Sequence, residues 1–411
     1  MTAHTCALAL ILVASASPDA RILRPGLGPQ PIVMRDLGFS GHATALNDRG
    51  DVAGRLSFGT AAVFWSEATG PVLIHPLPGH TAIFANDINN RGEVVGYSYR
   101  TGDDAHAFIW SQSGGLYDLG PGAALAINDL GTVVGGDATR AGAPGPWSGH
   151  ARMWRADGSV VDLGLPSEAY AINNSDVVAT GFSSPLYLWS PRSGVVDMRY
   201  TGWVFGLNDR LHAFVRSGGY PSALPALWTD AGVIAIDTPG CHDNWSGRIN
   251  NMDWLVAAWK TCGNREQMHG FVWSPEAGVV DLHEHVTTDI ADYDAWAWDV
   301  NEQGQIAGAV TDPLMGIERA VVWDVPVASV ARVRSLDVTF ATFAANGTLS
   351  THAAEQLRAR LDRVRSALAS GDRNGARHAA DTLWRKLQSD LRSGKLPDAE
   401  SWVLDSVSQL R

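Results

Sequence analysis

Apolar positions through the first three quarters of the chain fall in short runs rich in Val, Ala, Ile and Phe. The runs are bounded by Gly, Asn, Asp and Pro, the pattern of strands joined by tight turns. The stretch Ala126-Ile127-Asn128-Asp129-Leu130-Gly131-Thr132-Val133-Val134-Gly135, followed by Trp154 and then Asp162-Leu163-Gly164, sets the plan. Its Asn recurs at Asn47, Asn89, Asn128, Asn173, Asn208, Asn250 and Asn301, at steps of 42, 39, 45, 35, 42 and 51 residues. Its Trp recurs at Trp65, Trp110, Trp154, Trp189, Trp228, Trp273 and Trp323. Each copy predicts four strands: before the Asn, after the turn, up to the Trp, and up to an Asp-Leu pair. An Asn-Asp-x-Gly turn suits such a hairpin, since these residues tolerate left-handed backbone. The turn Gly gives way to Asp176, Leu211 and Asp253 in copies four to six.

A near-fixed period of about 40–50 residues is the mark of propellers and related arrays. One such sheet cannot bury both faces alone and must stack on its neighbours. The recurrent Trp reads as a wedge between units. Burying about 200 Å² at about 25 cal/mol/Å² gives each Trp an upper bound of about 5 kcal/mol. The Asp-Leu strand occurs once ahead of the first Asn, in Ile32-Val33-Met34-Arg35-Asp36-Leu37-Gly38, and has no clear counterpart after Trp323. A strand surplus at one end and missing at the other is what a closed ring requires, because closure removes the free sheet edge. The expectation is an all-β, seven-bladed β-propeller of four-stranded blades over residues 32–325, closed by its N-terminal strand.

The repeat resembles that of bacterial extracellular HAF-repeat proteins. His106-Ala107-Phe108-Ile109-Trp110, Met268-His269-Gly270-Phe271-Val272-Trp273, the Asn-Asp-x-Gly turns and the Asp-Leu-Gly strands carry the resemblance. It implies a propeller-like fold and an extracellular compartment, and it implies no catalytic residues.

After the array the period changes. Residues 326–350 read as a linker with some β-character. Leu357, Leu361, Val364 and Leu368 then fall at helical spacing, opened by Ser350 or Thr351 and stopped near Gly371. A second helix carries Ala376, Ala380, Leu383, Leu387 and Leu391 and ends at Gly394. A third, after Pro397, carries Leu404, Val407 and Leu410. Residues 351–411 thus predict a helical hairpin or three-helix module, with Trp384 and Trp402 in its core. The module is similar to the short helical FIMAH-type modules of extracellular bacterial proteins.

The run Cys6-Ala7-Leu8-Ala9-Leu10-Ile11-Leu12-Val13 followed by Ala14-Ser15-Ala16 predicts a signal peptide over residues 1–16, although no Lys or Arg precedes it. Residues 17–31 are Pro- and Gly-rich and expected to be extended. The protein is therefore expected outside the cell or in the periplasm, without a membrane span. Cys241 and Cys262 flank Asn250 almost evenly, and in an oxidising compartment a disulfide between them is expected. From residue 326 onward 13 Lys/Arg face 9 Asp/Glu, a net of +4, against −12 for the whole chain, so residues 1–325 carry −16. Such acidity argues against nucleic acid as a partner. An extracellular protein or a glycan is the expected partner, and a monomer the expected state.

Candidate chemistry is sparse. His106, His150 and His269 sit in equivalent repeat positions, where hydrogen bonding to a neighbouring strand explains them better than a shared metal. His283-Glu284-His285 with Asp289, Asp292, Asp294 and Asp299 has ligand chemistry for zinc or calcium but matches no metal template. Trp245, Trp254, Trp259, Trp296 and Trp298 lie in copies six and seven. Aromatic faces beside carboxylates suit carbohydrate, so Trp254, Trp296, Trp298, Asp292 and Asp294 are candidate ligand contacts. A polysaccharide-acting enzyme would need a carboxylate pair. Asp103-Asp104 and Asp292/Asp294 are nominal candidates, with no spacing that compels the assignment. No catalytic residue, cofactor or metal is assigned. The sequence reads as a non-enzymatic binding scaffold, with a glycan-binding lectin or polysaccharide-acting enzyme as the alternative.

Overall fold

A computed structural model describes residues 31–102, 104–137, 150–183, 185–217, 224–245, 247–262, 266–287, 293–312, 315–397 and 402–410. These residues form seven antiparallel sheets, one per repeat, in a β-propeller. The first blade shows the plan: Gly41–Leu46 innermost, then Val52–Leu56, Ala62–Ser66 and Gly70–Ile74 outward. The seventh blade contributes Asp294–Val300, Gln305–Asp312 and Ile317–Asp324, and Val33–Asp36 supplies its outer strand. Met34 lies opposite Trp323 in that pairing, so the ring is closed by the N-terminal strand. Blade five departs from four strands, because the two-residue segment Phe182–Ser183 adds to its inner edge opposite Gly202–Trp203.

Every repeat Trp lies on the third strand, opposite an early residue of the second: Val52 faces Trp65, Val94 faces Trp110 and Ile306 faces Trp323. Each packs against the preceding blade. Trp65 meets Ala307, Ala320 and Val322 of blade seven, and Trp110 meets Ala45, Ala53 and Phe64 of blade one. The indole N–H of Trp154 donates to Leu119 O at 3.2 Å and that of Trp228 to Met198 O at 3.1 Å, both one blade back. The wedges differ in depth: Trp323 is fully enclosed, whereas Trp189 and Trp228 are half-buried.

The repeat Asn residues form a continuous ring. Each side-chain Nδ2 donates to the backbone carbonyl of the next blade's Asn. The run goes from Asn47 to Asn89 (2.9 Å), Asn128 (3.1 Å), Asn173 (3.0 Å), Asn208 (3.2 Å), Asn250 (3.0 Å), Asn301 (2.9 Å) and back to Asn47 (2.8 Å). The same side chain's Oδ1 caps its own turn, as in Asn47, which accepts from Arg49 N (3.0 Å) and Asp51 N (2.9 Å). Seven buried amides are thereby satisfied with no water required.

The fourth turn residue is left-handed throughout, with φ of +82° at Gly50 and +83° at Gly131. Asp176 (φ +54°) and Asp253 (φ +61°) adopt the same conformation, and each carboxylate accepts from the Nδ2 of the Asn one blade back, Asn128 at 2.8 Å and Asn208 at 2.9 Å. Leu211 (φ +63°) has no such return, and its side chain is 43% exposed.

Among the described residues the C-terminal region holds four helices, three of them within residues 351–411 and one upstream of it. Residues 326–350 are not mainly linker: α1 spans Ser329–Ala345, followed by α2 (Thr351–Ala369), α3 (Arg373–Arg392) and α4 (Trp402–Ser408). α1 lacks an amphipathic stripe because it is covered on two sides. Leu336, Phe340 and Phe343 pack into the helical core, and Ala331 packs into the core between blades six and seven. Trp402 lies in the helical core and Trp384 packs against it. Among the described residues no helix is long and apolar enough to cross a membrane.

Replacing Leu211 with Gly is expected to raise stability by about 1 kcal/mol, since it relieves the left-handed strain and surrenders little packing. Asp253→Gly should instead destabilise, because it deletes the acceptor used by Asn208 and His212. Chemical denaturation midpoints of the two variants, moving in opposite directions, check this.

Candidate functional site at the channel mouth

The inner strands carry a β-bulge at one fixed place. The register slips between Ala43 and Ala45, Ala85 and Asp87, Ala124 and Ala126, Ala169 and Ala171, Val204 and Gly206, and Ala297 and Asp299. A bulge frees the extra residue from pairing and re-aims its side chain. The residue so freed stands three before the ring Asn: Thr44, Asn86, Leu125, Tyr170, Phe205 and Trp298, with Gly247 at the same offset in blade six. All seven line one cavity of about 230 Å³ at the mouth of the central channel, joined by His42, Arg55, Phe84, Ala85 and Arg248.

The rim of this cup is aromatic. Trp296 and Trp298 stack at 6.0 Å between centroids, Trp298 stacks on His42 at 4.8 Å, and Phe84 stacks on Tyr97 at 5.3 Å. The Arg55 guanidinium lies 5.5 Å from the Phe84 centroid and donates to His42 Nδ1 at 2.9 Å. His42 Nε2 stands 3.5 Å from Glu318, whose carboxylate also accepts from Ser57 Oγ at 2.6 Å. Burial, then the Arg55 charge, lowers His42 to about 4, so it is neutral at physiological pH. Burial raises the Tyr97 hydroxyl to about 12.

The next residue inward closes the channel. Arg248 Nη1 lies 3.4 Å from Asp87, and its Nη2 donates to Asn86 O (3.3 Å) and Leu125 O (3.4 Å). Asp87 accepts from Ile127 N of the next blade at 2.9 Å, and Asp299 from Leu46 N at 2.9 Å. Burial raises both carboxyls against the pull of Arg248, Asp299 to about 6. Arg248 borders both the cup and a second cavity of about 160 Å³ beyond it. That inner chamber is ringed by the Asn turns and roofed by Thr339, Thr342 and Phe343 of α1 with Trp402 of α4.

A second ring runs through the turn residues after each Asn: Asp48, Asn90, Asp129, Asn174, Asp209, Asn251 and Glu302. Each backbone N–H donates to the side-chain oxygen of the next, at 2.6 to 2.9 Å, with Glu302 N closing onto Asp48 at 2.8 Å. The helices hold this end. Asn346 Nδ2 donates to Asn174 O (3.1 Å), Arg332 Nη1 to Gln303 Oε1 (3.1 Å), and the Ser335 hydroxyl to Glu302.

The residues singled out from sequence separate widely. Trp298 lines the cup and Trp296 stacks behind it. Trp254 is fully enclosed in the core between the last two blades and offers no surface to a ligand. Asp294 accepts from Met268 N at 2.8 Å, a link between blades. Asp103 and Asp292 lie outside the described residues, and Asp104 is exposed. Trp259 is buried and stacks on His269 at 5.6 Å. His106 and His269 pair with the Asp of their own outer strand, Asp118 (2.9 Å) and Asp281 (2.8 Å), whereas His150 approaches Asp137 at 3.6 Å. His283 is sandwiched between His269 (3.9 Å) and Tyr293 (4.4 Å). Among the described residues no three His, Cys, Asp or Glu gather as metal ligands. Sequence reading missed His42, Arg55, Phe84, Tyr170, Phe205 and Arg248. Reading down the column three residues before each ring Asn exposes Tyr170 and Phe205 together with Trp298.

The molecule is thus a seven-bladed β-propeller with an aromatic cup at one end of its channel and a helical cover at the other. No family model matches the chain, and no curated protein matches it. Among solved structures it is similar to a streptogramin B lyase at 9% identity over 72% of this chain and 98% of that one, with a TM-score of 0.47. It is similar to a selenomethionine-substituted virginiamycin B lyase from Staphylococcus aureus at 9% identity over 71% and 98%, TM-score 0.47. TolB from Acinetobacter baumannii follows at 10% identity over 72% and 81%, TM-score 0.37.

Removing the central cation leaves two buried carboxylates unpaired. Arg248→Met is expected to cost about 3–5 kcal/mol near pH 8. Carboxyls whose folded pKa is raised destabilise the native state as pH climbs through that value, so the deficit should shrink as pH falls towards 5. Melting temperatures of the variant and wild type at pH 5 and pH 8 test both parts.

Proposed function

We propose that the protein is an exported, non-enzymatic binding scaffold whose ligand enters the aromatic cup. The supporting observation is that residues from all seven blades line this one cavity, six of them freed by the repeated bulge, and that its lining includes the rings of His42, Phe84, Tyr170, Phe205 and Trp298. Its cations are already balanced: Arg55 by the nearby Glu318, and Arg248 by Asp87 with Asp299 close by. A neutral ligand with a flat apolar face fits this better than an ion. The cavity is smaller than the roughly 300–1,000 Å³ that encloses a whole small ligand, so it suits one terminal unit of a longer molecule, such as the end of a neutral glycan.

A second reading, a polysaccharide-acting enzyme, rests on Glu168. This residue is buried just ahead of the inner strand of blade four, two residues from Tyr170, with its side chain beside Gly136 of blade three. Burial, then the Asp137 charge, raises it to about 8, so it holds a proton at neutral pH as a general acid would. Export, membership among the HAF-repeat proteins, the FIMAH-like character of the helices and the Cys241–Cys262 disulfide are parts of the same proposal. Cys241 lies opposite Lys260 in the strand pairing, two residues short of Cys262, which supports the bridge.

Glycan arrays followed by tryptophan fluorescence titration should identify a neutral glycan, with Trp298→Ala weakening it at least about tenfold. Flat responses across glycan classes would sink the glycan reading, and release of new reducing ends would favour the enzyme. The disulfide predicts no thiol of the mature protein alkylated without reductant and two alkylated after reduction, read by intact mass.

A further inference from the structure

The second ring alternates carboxylate and amide, and seven members cannot alternate without a fault. Asn90 Nδ2 donates to Asp48 (2.9 Å) and Asp129 (3.1 Å), and Asn174 Nδ2 to Asp129 (2.9 Å) and Asp209 (3.4 Å). Asp129 and Asp209 therefore each sit between two amides. The sequence of types breaks where Glu302 meets Asp48, two acids side by side with no amide between them. Asp48 accepts from Glu302 N and Asn90 Nδ2, and Glu302 from Asn251 N and the Ser335 hydroxyl. Every partner is spoken for and none lies between the two carboxyls.

This fault is where α1 lands. Ser335 supplies the hydroxyl that the ring lacks, and Arg332, buried beside it, binds Gln303 and faces the Glu302 charge. The remaining charged neighbours are unfavourable. Asp129 and Asp299 act on Asp48, Asp209 acts on Glu302, and Asp324 and Asp405 border the adjoining groove across from Arg49.

We propose that the Glu302–Asp48 junction is a proton latch. With one of the two carboxyls protonated, α1 stays seated over the chamber; when that proton is lost, the paired negative charges weaken that seat. The geometry demands this: two buried carboxylates in succession cannot both ionise without cost, and the pair titrates as a unit. Burial raises Asp48 to about 7, and burial followed by the Asp48 charge raises Glu302 to about 8, so the latch would act near neutral pH. Unseating α1 exposes the pair to water and returns it towards ordinary carboxyl values. The open state thus binds fewer protons, and opening grows with pH until the seated pair is itself ionised.

Hydrogen exchange of residues 329–345 in the full chain, corrected for the intrinsic pH dependence, tests the latch between pH 5.5 and 9. In the wild type the opening constant should rise by up to about tenfold per pH unit and level off above about pH 8. Glu302→Gln places an amide in the gap and should flatten the profile, and Asp48→Asn should do the same from the other side. Glu168→Gln, which removes a different high-pKa carboxyl, should leave the slope intact. A flat wild-type profile, an unchanged slope in both latch variants, or a slope abolished by Glu168→Gln would overturn the proposal.

Discussion

Seven asparagine amides bonded head to tail hold this molecule together. Each Asn ties its own turn through Oδ1 and the next blade through Nδ2, so one side chain serves both local and long-range order. Because every bond depends on the position of the following blade, spacing between blades is set at the axis, and the tryptophan wedges then fill what lies outside it. A substituted side chain of similar size would lack either the donor or the acceptor. This explains why Asn survives in all seven copies, whereas the turn glycine, whose demand is only conformational, is replaced three times.

The two ends of the channel follow different rules. At the mouth, a bulge in the inner strand leaves each blade free to present a different side chain, and the seven chosen are mostly aromatic or small. At the far end, the turns are nearly uniform and polar, and the helices roof them over. Arg248 with Asp87 and Asp299 divides the channel between these regimes. Variation is concentrated where the backbone is irregular, and uniformity where the ring bonds require it.

The propeller was legible because its determinants are periodic: the Asn, the Trp and the orphan Asp-Leu strand each report one geometric requirement. α1 was not. Val333, Leu336, Phe340 and Phe343 combine with β-branched neighbours in a helix covered on two faces, and such a helix carries no polar stripe to mark its period. The cup was half legible. Trp296 and Trp298 drew notice as aromatics, but Trp254, equally conspicuous in sequence, is enclosed in the core. Arg248 and Asp87 stand 161 positions apart in the chain, and only the closed ring makes them neighbours. The odd number of acidic and amide turns was visible throughout, but its meaning emerges only when the last turn is seen to touch the first.

The pairing of Val33–Asp36 with Ile317–Asp324 carries a consequence for how the molecule is made. The strand Val33–Asp36 finds its partner only after nearly three hundred further residues have been synthesised. Until then the nascent chain has an open end on each side, and neither the amide circle nor the acid-amide circle can be joined. Assembly therefore finishes with a seam, and the helices, which follow that seam directly in the chain and grip Glu302 beside it, can take their place only once it has been sewn.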